Sequence, residues 1–201
     1  MRVLLISLIL LLLATTVHAQ QSSIPKCELQ QLAIDAALGD TAALYNLGVE
    51  FFRGTNLPRD YAKAANLWRR ASEAGSVEAS NNLGFLRYYG RPGVERDYGE
   101  GIRLWRFAAE RGFAESQVHM GQAYSDGRFL KSDLIEAYAW AKAGKHYSSR
   151  MTDTIDNPQI SEEVAKDAEK VLVDMRKRLS AVEMVEAEKK AADYIRKFAP
   201  R

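Results

Sequence analysis

The chain repeats itself, and the period of the repetition narrows the folds open to it. Three segments align: YNLGVEFFRG from Tyr45, NNLGFLRYYG from Asn81 and HMGQAYSDG from His119. A glycine recurs at Gly48, Gly84 and Gly121, in steps of 36 and 37, and a second one, six residues on, at Gly54, Gly90 and Gly127. An aspartate follows at Asp60, Asp97 and Asp133, where the steps become 37 and 36, and Leu67, Leu104 and Trp140 lie seven residues beyond it. Gly39, Gly75 and Gly112 mark the unit ends. The exchange of the two steps places one extra residue between Gly90 and Asp97, in the loop of the second unit. Insertions in a true repeat fall in loops, and self-similarity at this period means stacked supersecondary units.

Each unit reads as two antiparallel helices joined by a loop. Ala43, Leu47, Gly48 and Phe51 fall at helical spacing, as do Ala79, Leu83 and Gly84, and then Met120, Gly121 and Tyr124. A mid-helix glycine costs up to ~1 kcal/mol relative to alanine, so its recurrence predicts close approach of the partner helix. The second glycine suits a helix end that turns through a left-handed residue. Asp60, Asp97 and Asp133 stand where a side-chain oxygen caps the following helix, with Glu100 and Glu136 placed for a capping box, so these acids are read as structural and not catalytic.

The stretch GRPGVERDYGEGIRLWRFAAERG, Gly90 to Gly112, resembles the loop and second helix of the Sel1-like repeat family, with its loop glycine, capping aspartate, central aromatic, Ala108-Ala109 pair and closing glycine. RDYAKAANLWRRASEAG in the first unit matches nearly as well, and DLIEAYAWAKAG in the third keeps Asp133, Ala137 and Trp140 before drifting. The likeness covers roughly residues 33 to 146. Arg87 departs from the pattern, since Phe51 and Tyr124 occupy that position; either the helix end is rotated or Tyr88 takes the aromatic role. The resemblance implies an all-α, right-handed solenoid of helix-turn-helix repeats that binds other proteins. Some cysteine-rich members carry a disulfide in each repeat and are linked to β-lactam binding; this chain lacks those cysteines, and that activity is not carried over.

Outside the repeats the chain divides by composition. Residues 1–19, with Arg2 ahead of an apolar run and Val17-His18-Ala19 at a cleavage site, read as a signal peptide, with a retained anchor as the alternative. No lipid box precedes Cys27. Residues 20–28 form an N-terminal segment, 29–39 a half-unit helix, and about 40–75, 76–112 and 113–146 the repeats. A polar connector occupies 147–160, and two more helices fill 161–201, Val164, Ala168, Val171, Leu172 and Met175 lining the first and Ser180 with Glu183 opening the second. This pair caps the open end of the solenoid or, alternatively, serves as a partner-binding tail. The expected location is periplasmic or secreted, without membrane insertion once the signal is cleaved.

The residues point away from several classes of function. A formal net charge of +2, reduced further by loss of Arg2, gives no basic footprint for nucleic acid. Beyond the signal there are two histidines, His119 and His146, and one cysteine, so no zinc set or Cys-His couple assembles and no cofactor or metal is expected. Cys27 is either a spare thiol or the site of an intermolecular bridge. Ser23-Ile24-Pro25-Lys26 mimics a Ser-x-x-Lys motif but sits beside a proline without its companion motifs. The rival to a binding scaffold is an enzyme acting on cell-wall material through paired carboxylates. Its nearest candidates, Glu115 and Asp126, stand about 16 Å apart on one helix, too far for glycosidase geometry.

The remaining candidate is a protein-binding groove. Numbered from the first glycine of each unit, positions −6, −3, +1 and +4 lie opposite the core stripe: Ala42, Tyr45, Val49 and Phe52, then Glu78, Asn81, Phe85 and Tyr88, then Glu115, Val118, Gln122 and Ser125. In stacked helical hairpins that side is concave, and its aromatics are candidate binding anchors for a protein partner in the cell envelope, whether regulatory, assembly or toxin-neutralising. The competing expectation is that the rings pack among themselves or that residues 20–30 fold back over them.

Overall fold

The computed structural model describes residues 25–148 and 158–199. Among these the chain is helical throughout, with one isolated bridge between Arg91 and Val94. The helices are α1 (Lys26–Leu38), α2 (Thr41–Arg53), α3 (Tyr61–Glu73), α4 (Val77–Tyr89), α5 (Tyr98–Ala109), α6 (Ala114–Asp126), α7 (Leu134–Ser148), α8 (Pro158–Arg178) and α9 (Ala181–Lys197). Pairs α2/α3, α4/α5 and α6/α7 are the three repeat units, stacked side by side into an all-α solenoid with α1 against the first and α8 and α9 against the last. The predicted signal peptide and most of the segment 20–28 lie outside the described residues, as does the middle of the predicted connector. Both ends of that connector are helical, because α7 runs to Ser148 and α8 starts at Pro158.

The landmark glycines have two separate physical causes. Within the first helices, a Cβ on Gly48 would stand 2.4 Å from Trp68 Nε1, and one on Gly84 would stand 2.7 Å from Trp105 Cδ1. An indole from the second helix therefore fills the space left by the missing side chain. Both tryptophans are buried, and each indole N–H donates to a carbonyl three residues before the glycine, Tyr45 at 3.1 Å and Asn81 at 3.2 Å. In the third unit Ala141 stands where the other units have tryptophan, and there the helix backbone itself closes in: a Cβ on Gly121 would lie 2.9 Å from the Ala137 carbonyl. The loop glycines answer to backbone conformation instead. Gly54 and Gly127 end their helices in the left-handed region, as does Gly39 after α1. In the second unit Gly90 leaves its helix with ψ at 155°, and the extra residue is taken up by the Arg91–Val94 turn with Gly93 at φ +78°.

Each second helix is capped as expected. The carboxylates of Asp60 and Asp97 accept from the N–H three residues on, Asp133 accepts from Ile135 and Glu136, and Asp40 does the same for α2. The expected capping boxes at Glu100 and Glu136 do not form. Glu100 pairs with Arg87 at 2.8 Å, and Glu136 reaches the C-terminal helix, accepting from Lys190 and from the Tyr194 hydroxyl, each at 2.8 Å. A longer-range cation or phenol outcompetes the local N–H for each glutamate. The box does form at Ser180 and Glu183, where α9 begins. Arg87 thus has a charge partner, and Tyr88 packs 4.7 Å from Trp105 and 5.0 Å from Tyr98 as Phe52, its own equivalent in the first unit, packs on Trp68 and Tyr61; it does not replace the aromatic of Phe51 and Tyr124.

The two C-terminal helices both pack on α7, and α8 also reaches α6. Helix α8 lies beside α6 as a fourth first helix would, its Val164 and Ala168 closing over Val118 and Tyr147. Helix α9 covers α7 from the other side: Trp140 stacks on Phe198 with ring centroids 5.1 Å apart, and the Tyr138 hydroxyl donates to Glu188 at 2.6 Å. The pair therefore covers the last repeat's large apolar side chains, each a burial of about 1.5–3 kcal/mol.

Candidate functional site

The first helices α2, α4 and α6 line one face of the solenoid, and each is held by its own second helix, by the helix that precedes it and by side chains of the neighbouring first helices, as Asn81 of α4 bonds Ser116 and Glu115 of α6. That grip leaves a narrower open arc than simple opposition to the core predicts. At about 100° per residue the predicted positions −3 and +4 fall only about 40–60° from the landmark glycine, whereas −6, −2, +1 and +5 fall at about 100–160°. The structure leaves the second set open. It consists of Ala42, Asn46, Val49 and Arg53 on α2, Glu78, Asn82, Phe85 and Tyr89 on α4, and Glu115, His119, Gln122 and Asp126 on α6, each exposed or half-buried.

Of the groove residues expected from sequence, Ala42, Val49, Glu78, Phe85, Glu115 and Gln122 stand on this open row, and those at −3 and +4 do not. Asn81 is buried: its Oδ1 accepts from the Ser116 hydroxyl at 2.7 Å and its Nδ2 donates to Glu115 at 2.9 Å. It joins units two and three instead of facing a ligand. Val118 is buried under α8, with Tyr147 and Val164 against it. Tyr88 is buried among Trp105, Tyr98 and Tyr89, and Phe52 packs against Trp68 and Tyr61. Tyr45 is half-buried, its phenol hydrogen-bonded to the Asn82 side chain of the next unit; burial first, then the Glu78 and Glu115 carboxylates, push it above its ordinary pKa against the pull of that bond. Positions −3 and +4 are therefore struts between and within units.

The sequence reading missed Asn46, Arg53, Asn82, Tyr89, His119 and Asp126, which complete the open row. Tyr89 is 42% exposed and its ring lies 4.9 Å from Phe85 and 5.0 Å from Tyr88. His119 stacks on Trp105 with centroids 4.3 Å apart at 23°, approaches Glu115 at 3.7 Å and meets the Gln122 side chain at 3.3 Å. The signal was available in the positions next to the predicted ones, since −2 and +5 carry polar or aromatic residues in all three units.

Where α6 faces α8 the open row deepens into a cavity of about 360 Å³, with Tyr88, Tyr89 and Trp105 at its base and Asp126, Asp167 and Asp174 around it. A smaller recess of about 90 Å³ continues it between Glu115, His119, Glu163 and Asp167. Burial raises the Tyr89 phenol above its ordinary pKa, and the Asp126 and Asp167 carboxylates add to the shift, partly offset by Arg128. No set of three or more His, Cys, Asp and Glu among the described residues is arranged to hold a metal ion. Cys27 is exposed on α1, at the far end of the solenoid. No described helix is long and apolar enough to cross a membrane.

A family model for the Sel1 repeat matches residues 41–76, 77–113 and 114–144. The search of curated proteins gave no match. Among solved structures, the chain is similar to a protective antigen of uropathogenic Escherichia coli strains that displays an SLR fold, with 27% identity and a TM-score of 0.69, covering 85% of this chain and 33% of that one. This chain thus spans about a third of that protein's length. It also resembles a Sel1 repeat protein from Oxalobacter formigenes, with 24% identity and a TM-score of 0.52, over 70% of this chain and 98% of that one.

Proposed function

The chain belongs to the Sel1 repeat family, whose repeats typically mediate protein–protein interaction, and from that premise we propose that it is an exported scaffold that holds a protein partner in the cell envelope. The observation that carries this reading is the open row on α2, α4 and α6, where Val49, Phe85 and Tyr89 offer apolar and aromatic surface between Glu78, Asn82, His119 and Gln122. Rigid aromatic side chains flanked by polar groups are the usual anchors of a protein interface. The helices that present them are held by buried indoles and by the Asn81 bridge, so the row is preorganised. Residues 1–19 support export, and likeness to a protective antigen is in keeping with an envelope setting.

The test places a photo-crosslinking phenylalanine analogue at position 89 or, as control, at position 103 on the exposed side of α5, in living cells. One protein adduct at 89 that is absent at 103, in an envelope fraction lacking residues 1–19, is the expected result. Equal labelling at both positions, or a chain retained in the cytoplasm, contradicts it.

A further inference from the structure

Helix α1 covers the first unit with one face only. Leu29, Leu32 and Ala36 pack on the core of that unit, and the arc opposite them, at about 100° per residue, carries Cys27, Gln30, Gln31, Ile34, Ala37 and Leu38. All six are exposed, Ile34 by 53% and Leu38 by 82%, and none is charged. A solenoid end that meets water is ordinarily polar, as on α8 at the other end, where Lys166, Glu169, Lys170, Asp174 and Lys177 surround Val173. Cys27, Gln30, Ile34 and Ala37 follow one another at alternating steps of three and four residues, the seam spacing of a two-stranded coiled coil. The charges of α1 lie on its flanks, Lys26 on one side of this seam and Glu28 and Asp35 on the other. A parallel pair of such helices related by a two-fold axis sets the basic flank of each against the acidic flank of the other. An antiparallel pair sets acid against acid. The charges therefore select the parallel pair, which is also the one that brings like positions of the seam, cysteine included, face to face.

We infer that α1 is a self-association helix: two copies of the chain pair through it in parallel, and their two Cys27 thiols close a disulfide across the seam. Thirteen residues make a seam only about 20 Å long and one helix wide, which buries less than the roughly 1,200 Å² of a stable dimer. The apolar contact thus aligns the copies and the covalent bond holds them. The bond forms by thiol–disulfide exchange with a disulfide oxidant. One Cys27 thiolate attacks the oxidant, and the second displaces the resulting mixed disulfide, so two protein thiols become one disulfide and the oxidant leaves as two thiols. The pairing goes beyond the scaffold reading, since a linked dimer carries two open rows. In the cell the bond rests on the export part of that reading, because an oxidising compartment supplies the oxidant.

The test follows covalent dimer by non-reducing electrophoresis, using protein purified from cells that express the full chain, reduced and then exposed to oxidised glutathione. The natural chain is compared with Ile34→Glu, which puts a charge on the seam, and with Cys27→Ser/Glu28→Cys, which moves the thiol one residue onto the flank. All three positions are exposed, and unchanged helical content shows that the variants are folded. The natural chain is expected to form dimer at least about tenfold faster than either variant, since pairing raises the local concentration of the second thiol. Equal rates for the three proteins overturn the inference. So does capping of Cys27 by glutathione without dimer, the result that a segment of the chain folded over the seam would give. Dimer from the purified protein beside reduced monomer in living cells leaves the pairing standing and contradicts export; absence of dimer with the position-89 adduct intact removes the pairing and leaves the scaffold.

Discussion

At Gly84 the chain accepts the poorest non-proline helix former in the middle of a helix, because the Trp105 indole occupies the space where a Cβ would be. Gly84→Ala is therefore expected to destabilise by about 1–3 kcal/mol despite alanine's better propensity, as overpacking does, and urea unfolding measures it. An unchanged midpoint would mean that the indole moves aside freely. Asn81 makes a different contribution. Replacing it by alanine leaves the buried Ser116 hydroxyl without its acceptor and Glu115 without its amide donor, a loss of about 1–3 kcal/mol that thermal unfolding reports. The glycine was legible from its recurrence, since the same steric demand arises in each unit. Asn81 was not, because Tyr45, Asn81 and Val118 occupy equivalent positions with unlike chemistry, each meeting a different neighbour.

At the scale of elements, α8 and α9 are joined to α7 by charge as well as by packing. Glu169 accepts from Lys145 and Arg176, and these bonds hold its carboxyl below the usual range. Glu188 is pushed up by burial but pulled further down by Lys142 and the Tyr138 hydroxyl, so its net shift is also downward. A carboxyl whose folded pKa is depressed contributes stability above its unfolded pKa and loses it as pH falls through the folded value. The C-terminal helices should thus loosen as pH drops below the ordinary carboxylate value of 4.5, ahead of the first two units, and hydrogen exchange of α9 against α4 reads this out. Simultaneous opening of both would deny the carboxylates that role. Removing residues 158–201 uncovers Tyr138, Trp140 and Tyr147 and is expected to cause aggregation, measured by light scattering. A truncated chain that stays monomeric with an unchanged melting temperature would make the pair a tail and not a cap. The existence of both helices was readable from their apolar spacing. That they flank α7 and lay α8 beside α6 was not, since spacing identifies a buried face without naming the element that buries it.

For the whole molecule, period and landmark order determined the solenoid, while the open face needed the structure. A helix in a stacked array contacts neighbours on three sides, which turns the exposed arc away from simple opposition to the core and moves it from Tyr45, Asn81 and Val118 to Asn46, Asn82 and His119. Val49, Phe85 and Gln122, and likewise Ala42, Glu78 and Glu115, stay on the row because +1 and −6 lie within both arcs. The account's central claim is that this row holds the partner. Its most direct measurement is the affinity of the protein captured at position 89 for Phe85→Ala, Tyr89→Ala and the outer-face variant Arg103→Ala, each checked for unchanged helical content. Loss of about 2 kcal/mol, roughly thirtyfold, for the first two with no change for the third is the predicted result. Equal affinity for all three would contradict it and put the partner elsewhere on the molecule.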